Sequence, residues 1–189
     1  MTVCLIRHGQ TRGNLERRYI GSTDQPLCPQ GREALAGLHP PDVDKVYTSP
    51  LLRCRETAAL LYPDMETEVV PDLRESDFGA FECHTYEELK DDPAYQAWLD
   101  TAGALPPPGG EDRGTVRDRV SGAFLSLATR HRPTDRIALV VHGGTIMTLL
   151  EAFEASHQFY AWQAPNGGGY RCRWTGNALA DVEKFSCLI

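Results

Sequence analysis

Val3-Cys4-Leu5-Ile6 is a short apolar, partly β-branched run, the pattern of a buried strand. It gives way to Arg7-His8-Gly9-Gln10-Thr11, where a glycine lets the backbone turn and Thr11 offers a helix N-cap. The device returns late in the chain. Ile137-Ala138-Leu139-Val140-Val141 is a second buried-strand pattern, followed by His142-Gly143-Gly144 and a helix expected from about Thr145 to Glu154. Between the two copies, strand patterns at Val43–Thr48 and Glu66–Val70 alternate with helical ones. Helices are expected over Gly31–Leu38, over the stretch to Leu61 that starts at Ser49-Pro50 with serine as N-cap, over Tyr86–Leu99, and over Thr115–Arg130. Arg12–Tyr19 reads as a short helix or an ordered loop. Tyr170–Trp174 and Ala178–Phe185 read as closing strands around a Gly176-Asn177 hairpin turn. Strands alternating with helices predict an α/β fold: one domain over residues 1–189, with a mostly parallel, doubly wound sheet and antiparallel edge strands. Pro71–Glu82, mixed in carboxylates and aromatics, reads as a functional loop, and Leu105–Gly110 as a break or lid segment.

Composition changes this picture little. The 189 residues are 41% hydrophobic and 24% charged, and the net charge is 19 − 26 = −7. That balance gives no reason to expect a nucleic-acid partner. No apolar run is long enough for a bilayer, and the N-terminus lacks a secretory pattern, so a cytoplasmic protein is expected, without membrane attachment and as a monomer or homodimer. The six cysteines (Cys4, Cys28, Cys54, Cys83, Cys172, Cys187) lack C-x-x-C spacing and are expected to be reduced.

The two strand-end histidines carry the chemistry. The carboxyl edge of strands in an open α/β sheet is where ligands bind. Two imidazoles and Arg7 there, beside free helix N–H groups, describe a site for an oxyanion, most simply phosphate. Arg53, in the first turn of its helix, falls near the same edge, whereas Arg55 points elsewhere. The amide of Asn14 is close enough behind His8 to donate into the pocket. Neither a third metal ligand nor a G-x-S-x-G or P-loop pattern accompanies these residues, so no metal or cofactor is expected. A neutral imidazole attacking phosphorus remains. His39, His84, His131 and His157 are expected to be structural or exposed, and Phe78, Phe81, Tyr86 and Trp98 to be core rather than a substrate platform.

Four motifs in order resemble the histidine phosphatase superfamily, in the branch shared by phosphoglycerate mutases and small-molecule phosphatases. They are Arg7-His8-Gly9-Gln10-Thr11-x-x-Asn14, Ser49-Pro50-Leu51-x-Arg53-x-x-x-Thr57-Ala58, Glu75-x-x-Phe78-Gly79-x-Phe81-Glu82 and His142-Gly143-Gly144. The resemblance implies a three-layer, phosphoglycerate mutase-like fold and a metal-independent phosphomonoesterase. His8 would be the phosphorylated nucleophile, with Arg7, Arg53 and His142 holding the phosphoryl oxygens and Asn14 and the Gly143 N–H assisting. Thr11 and Gly21 complete the implied substrate-binding set. Glu75 would be the general acid; Glu82 and Asp77 compete for that role, and the spacing to Phe78-Gly79 favours Glu75.

A small phosphorylated metabolite is the expected partner. The Arg-Tyr pair that mutases tend to show after the acid glutamate is replaced by Ser76-Asp77, which argues for phosphatase over mutase-type transfer. Arg18-Tyr19-x-Gly21-x-Thr23-Asp24-x-Pro26-Leu27 and Pro107-Pro108-Gly109-Gly110-Glu111 are similar to the α-ribazole phosphatases of cobalamin synthesis. Cys28, Cys83 and Met147 depart from that group's usual residues. The reading from another class is a non-catalytic phosphate-binding regulatory protein on the same fold.

Overall fold

A computed structural model of the chain describes residues 1–156 and 158–186; His157 and Cys187 lie outside the described residues. The chain runs β1 (Thr2–Arg7), α1 (Arg12–Leu15), α2 (Pro29–Leu35), β2 (Lys45–Thr48), α3 (Leu52–Leu61), β3 (Thr67–Val69), α4 (Tyr86–Leu89), α5 (Pro93–Asp100), α6 (Arg113–Ala128), β4 (Arg136–Val141), α7 (Gly143–Phe153), β5 (Gly168–Trp174) and β6 (Leu179–Ser186). The six strands form one mixed sheet in the order β3-β2-β4-β1-β5-β6. The first four are mutually parallel, and β5 and β6 are added antiparallel. This is the expected α/β architecture.

The period-two pattern of the buried strands divides the core. Val3, Leu5, Ile137, Leu139 and Val141 face one layer, packed with Val116, Val120 and Phe124 of α6 and Ile146 and Leu149 of α7. Cys4, Ile6, Ala138 and Val140 face the other, against Leu35 of α2 and Cys54, Ala58 and Leu61 of α3. The helices that follow β1 therefore cover one face, while α7, which follows the adjacent β4, covers the other. Chain segments leaving neighbouring strands in opposite directions open a crevice at the strands' carboxyl ends. Arg7-His8 and His142 stand there. A third, small cluster of Phe81, Leu89 and Tyr95 with Tyr19, Phe78 and Trp98 packs separately from these two layers.

Several boundaries differ from expectation; α2, for instance, covers Pro29–Leu35 rather than Gly31–Leu38. The helix expected over Tyr86–Leu99 is two helices, because Pro93 has no N–H to continue α4 and Asp92 caps a new start through Ala94 N–H at 2.7 Å. Ser49 does not cap α3, which begins at Leu52; Asp24, from a distant loop, accepts the Leu52 N–H at 2.7 Å instead. The helix after His142 starts at Gly143, two residues early, directly on the histidine. Cys4, Cys28, Cys54, Cys83 and Cys172 are free thiols. No helix among the described residues is long and apolar enough to cross a membrane.

Candidate active site

His8 and His142 are both buried, and their ring centroids are 5.2 Å apart at an interplanar angle of 64°. The turn that carries His8 is stitched on both sides. Thr57 Oγ1 accepts the Gly9 N–H at 2.9 Å, and Asn166 Nδ2 donates to the His8 carbonyl at 3.0 Å. His8 Nδ1 lies 2.7 Å from the Gly9 carbonyl, which only accepts. Nδ1 therefore carries the proton and Nε2 keeps its lone pair. Burial, then the charges of Arg53 and Arg7, hold the His8 imidazolium form well below the usual histidine range.

His142 has the complementary arrangement. Its Nδ1 accepts from Arg53 Nε at 3.2 Å, so its Nε2–H donates to Ser49 Oγ at 2.6 Å. It too is held neutral by burial, and next by Arg53 and His8. Ser49, expected as a cap, instead fixes the second imidazole; its hydroxyl also accepts the Leu51 N–H at 3.3 Å.

Arg53 is fully buried, with Nη1 on the Thr23 carbonyl at 2.8 Å and Nη2 on the Gly21 carbonyl at 2.7 Å. Three of its five N–H groups are thereby committed, and the fork is held rigid. The loop supplying those carbonyls is anchored by Glu82, which accepts from the backbone N–H groups of Gly21, Ser22, Thr23 and Phe78 and from Thr23 Oγ1. Gly21 therefore reaches the site through Arg53, its own N–H being bound to Glu82. A Cβ at Gly21 would lie 1.9 Å from the Ser76 carbonyl, so no larger residue fits. Arg55 is exposed, as helical geometry requires.

Arg7 sits across from this fork. Its Nη1 donates to the Ala164 carbonyl at 2.8 Å, and its Nε is buried without a partner among the described residues. Burial lowers the pKa of its guanidinium, partly offset by the charge of Glu75. An unsatisfied buried guanidinium N–H costs on the order of 1–3 kcal/mol, and an arriving oxyanion would remove that cost. Gly143 opens α7 beside it; a Cβ there would be 3.5 Å from Arg7 Nε and Cζ. Thr11 and Asn14 form a reciprocal capping box on α1, with Asn14 Oδ1 also accepting from Asn166 Nδ2 at 3.2 Å. That leaves the Asn14 Nδ2 group outside the cap.

Glu75 is buried on a loop between two 3-10 turns. Its Oε2 accepts the Gly144 N–H at 2.9 Å and its Oε1 the Ser76 N–H at 3.0 Å. Its rivals are engaged elsewhere: Glu82 in the Gly21–Thr23 loop, and Asp77 on the Gly79 N–H at 2.8 Å. A cavity of about 230 Å³ adjoins Glu75 and Gly144, walled by Tyr19, Phe78, Trp98, Met147, Phe159 and Tyr160. Phe78 and Trp98, expected as core, thus line a cavity, whereas Phe81 is core and Tyr86 is exposed. Arg113 also borders the cavity, paired with Glu151 at 2.7 Å and stacked 4.3 Å over Phe159. The other described histidines stand apart: His39 and His84 are exposed, and His131 bridges Tyr47 and Asp135. No group of three or more His, Cys, Asp or Glu among the described residues is placed to hold a metal ion.

A strand-end histidine with a free ring nitrogen, a second imidazole, a buried and a half-buried arginine and a carboxyl at the mouth of an apolar cavity define a phosphoryl-handling α/β enzyme. The model of branch 1 of the histidine phosphatase superfamily matches residues 3–183, and the chain belongs to that family and is a phosphatase. It is 30% identical over 158 residues to the adenosylcobalamin/α-ribazole phosphatase of Escherichia coli K12, covering 79% of this chain and 77% of that one. It is also 30% identical over 160 residues to phosphoglycerate mutase-like protein 4 of Arabidopsis thaliana, covering 79% and 69%. The α-ribazole phosphatase structure from Shigella flexneri superposes with a TM-score of 0.83 at 25% identity, over 100% of this chain and 98% of that one.

Proposed function

We propose that the protein hydrolyses phosphomonoesters of small metabolites through a phosphohistidine at His8, without a metal. The observation that carries this reading is His8 itself: a buried, neutral imidazole with Nδ1 fixed on the Gly9 carbonyl, beside an Arg7 Nε that has no partner among the described residues. Nε2 attacks phosphorus, and the P–O bond to the leaving alcohol breaks. Arg7, Arg53 and the Gly143 N–H meet charge on the equatorial oxygens, with His142 and Asn14 Nδ2 beside them. Such positioned donors account for most of the barrier reduction in phosphoryl transfer. The Glu75 carboxyl gives its proton to the leaving oxygen. The resulting carboxylate then takes a proton from water as that water attacks the phosphohistidine, releasing phosphate and restoring both groups.

The cavity beside Glu75 supports a leaving alcohol with a flat, apolar part. Its walls are largely aromatic, Asp77 adds negative charge, and the bordering charges of Arg113 and Glu111 are paired with Glu151 and Arg119. A second anionic group, as in a bisphosphate, would meet repulsion there, which favours hydrolysis over mutase-type transfer. An α-ribazole 5′-phosphate, with a benzimidazole ring on its ribose, suits these walls, and the likeness to the adenosylcobalamin/α-ribazole phosphatase of Escherichia coli supports the choice. All the site residues come from one chain, so a monomer or a homodimer suffices, and five free thiols fit a reducing cytoplasm.

A panel of phosphomonoesters assayed in EDTA tests this reading. Turnover is expected to be unchanged by the chelator, with kcat/KM for α-ribazole 5′-phosphate at least about tenfold above glycerol phosphate, the span of ~1.4 kcal/mol. Loss of activity in EDTA would overturn the metal-free mechanism. A preference for 3-phosphoglycerate would overturn the leaving-group assignment, and phosphate binding without turnover of any ester would favour the regulatory-protein alternative.

A further inference from the structure

The loop that carries Glu75 has no strand or α-helix of its own, yet its backbone is held at several points by one side chain from α6. Arg119 Nη1 donates to the carbonyls of Asp72 at 3.0 Å and Arg74 at 2.8 Å, and Nη2 donates to the carbonyl of Glu75 itself at 3.1 Å. The same guanidinium grips Glu111 by both carboxylate oxygens, Nε to Oε1 at 2.9 Å and Nη2 to Oε2 at 2.7 Å. Glu111 in turn accepts from Arg74 Nη2 at 3.0 Å and from the Asp77 N–H at 3.1 Å. Residues on both sides of Glu75, and Glu75 itself, are thus fastened to one largely shielded ion pair, with side-chain exposures of 10% for Arg119 and 15% for Glu111. Burial pushes the Glu111 carboxyl up, but the hydrogen bonds from Arg119 and Asp77 and the charges of Arg119 and Arg74 outweigh it and leave it below its ordinary range.

We propose that Arg119, seated on Glu111, is a positioning residue: it sets where the Glu75 carboxyl stands relative to the leaving oxygen. The inference rests on the reading of Glu75 as proton donor. Glu75 has its own bond to the Gly144 N–H, but that bond fixes only the tip of the side chain. The Arg119 fork fixes its root. Neither Arg119 nor Glu111 belongs to the four motifs that identify the family. Lysine in place of Arg119 would keep the charge but could not span three carbonyls and a carboxylate, because an ammonium is a point donor rather than a fork. Lysine therefore separates geometry from electrostatics.

The test uses kcat/KM, which reports the step that forms the phosphoenzyme. A poor leaving group such as glycerol depends on the acid, and p-nitrophenolate leaves without one. General acids contribute about 10²–10⁴-fold, and misplacement by about 1 Å can cost 10²-fold. Arg119→Lys is expected to lower kcat/KM for glycerol phosphate by about 30-fold or more and for p-nitrophenyl phosphate by less than about 3-fold. Glu111→Gln, which loosens the seat and keeps its shape, is expected to give the same selectivity at smaller amplitude. It serves as the deciding variant if Arg119→Lys fails to fold by circular dichroism. Glu75→Gln is measured alongside. Equal losses on the two esters, or no loss, in folded Arg119→Lys or Glu111→Gln while Glu75→Gln is selective would overturn the positioning role. A non-selective Glu75→Gln would overturn the acid assignment, and this inference with it.

Discussion

Gly144→Ala isolates the contact between helix α7 and the proposed acid. Gly144 has an ordinary backbone conformation in the first turn of α7, so alanine is admissible for the chain itself. The added Cβ would lie 2.4 Å from Glu75 Oε1, 3.0 Å from Cδ and 3.1 Å from Oε2. No carboxylate tolerates that approach, so the flexible end of Glu75 must swing away and give up the Gly144 N–H at 2.9 Å. Displacing a positioned acid by about 1 Å can cost about 10²-fold in rate, or ~2.7 kcal/mol. The kcat/KM for an alkyl phosphomonoester should fall by about the same factor. The backbone prefers alanine to glycine in a helix by up to about 1 kcal/mol, which offsets the lost bond, so the unfolding midpoint should move by only a few degrees. Initial-rate kinetics with a thermal melt on the same preparation reads both quantities. A folded variant whose kcat/KM stays within about 2-fold of the parent, a change under ~0.5 kcal/mol, would refute the claim that Glu75 acts from this seat.

Three other substitutions or conditions test separate parts of the account. Arg53→Lys gives up the paired bonds to the Gly21 and Thr23 carbonyls, and should reduce kcat/KM by about 10²–10³-fold, measured by steady-state kinetics. Glu82→Ala strips the acceptor from four backbone N–H groups that shape the Gly21–Thr23 loop, and urea denaturation should show a loss of about 2–4 kcal/mol at ~1 kcal/mol per bond. Acidification has a definite sign. Unfolded histidines take up protons below about pH 6.5, whereas His8 and His142 in the fold resist doing so. Stability is then fully present above pH 6.5 and lost as pH falls below it, with a slope approaching ~1.4 kcal/mol per pH unit for each histidine. His142→Gln should flatten that slope in a urea series from pH 7.5 to 5. For the same reason kcat/KM should persist well below pH 6.5, since the nucleophile stays unprotonated.

What the sequence disclosed and what it hid follow from the range of the interactions. The β1 and β4 patterns were legible because fully apolar runs ending in His-Gly specify a buried strand and a turn by local chemistry alone. Thr11 was legible as a cap for the same reason, its partner Asn14 being three residues away. Ser49 was misread because Ser-Pro is a good local helix start, and nothing nearby signals that a histidine 93 positions later will take its hydroxyl. The split at Pro93 was readable from Asp92-Pro93 and was overridden by the apolar pattern across it. Arg119 and Asn166 carry no signal of their own, and Glu82 is marked by its motif but not for its role as loop anchor. Their partners are backbone atoms or loop residues brought near by the sheet order, at separations such as the 44 residues between Arg119 and Glu75. Trp98 and Phe78 resemble core residues in sequence because a cavity wall and a core present the same apolar demand.

The account stands or falls on the covalent bond at His8. Rapid quenching of the protein with a labelled phosphomonoester, followed by peptide mapping, should show phosphate on the peptide containing His8, stable to alkali and lost in acid. His8→Ala should carry no label and no turnover. Full turnover by His8→Ala, or label on a different residue, would contradict the account directly.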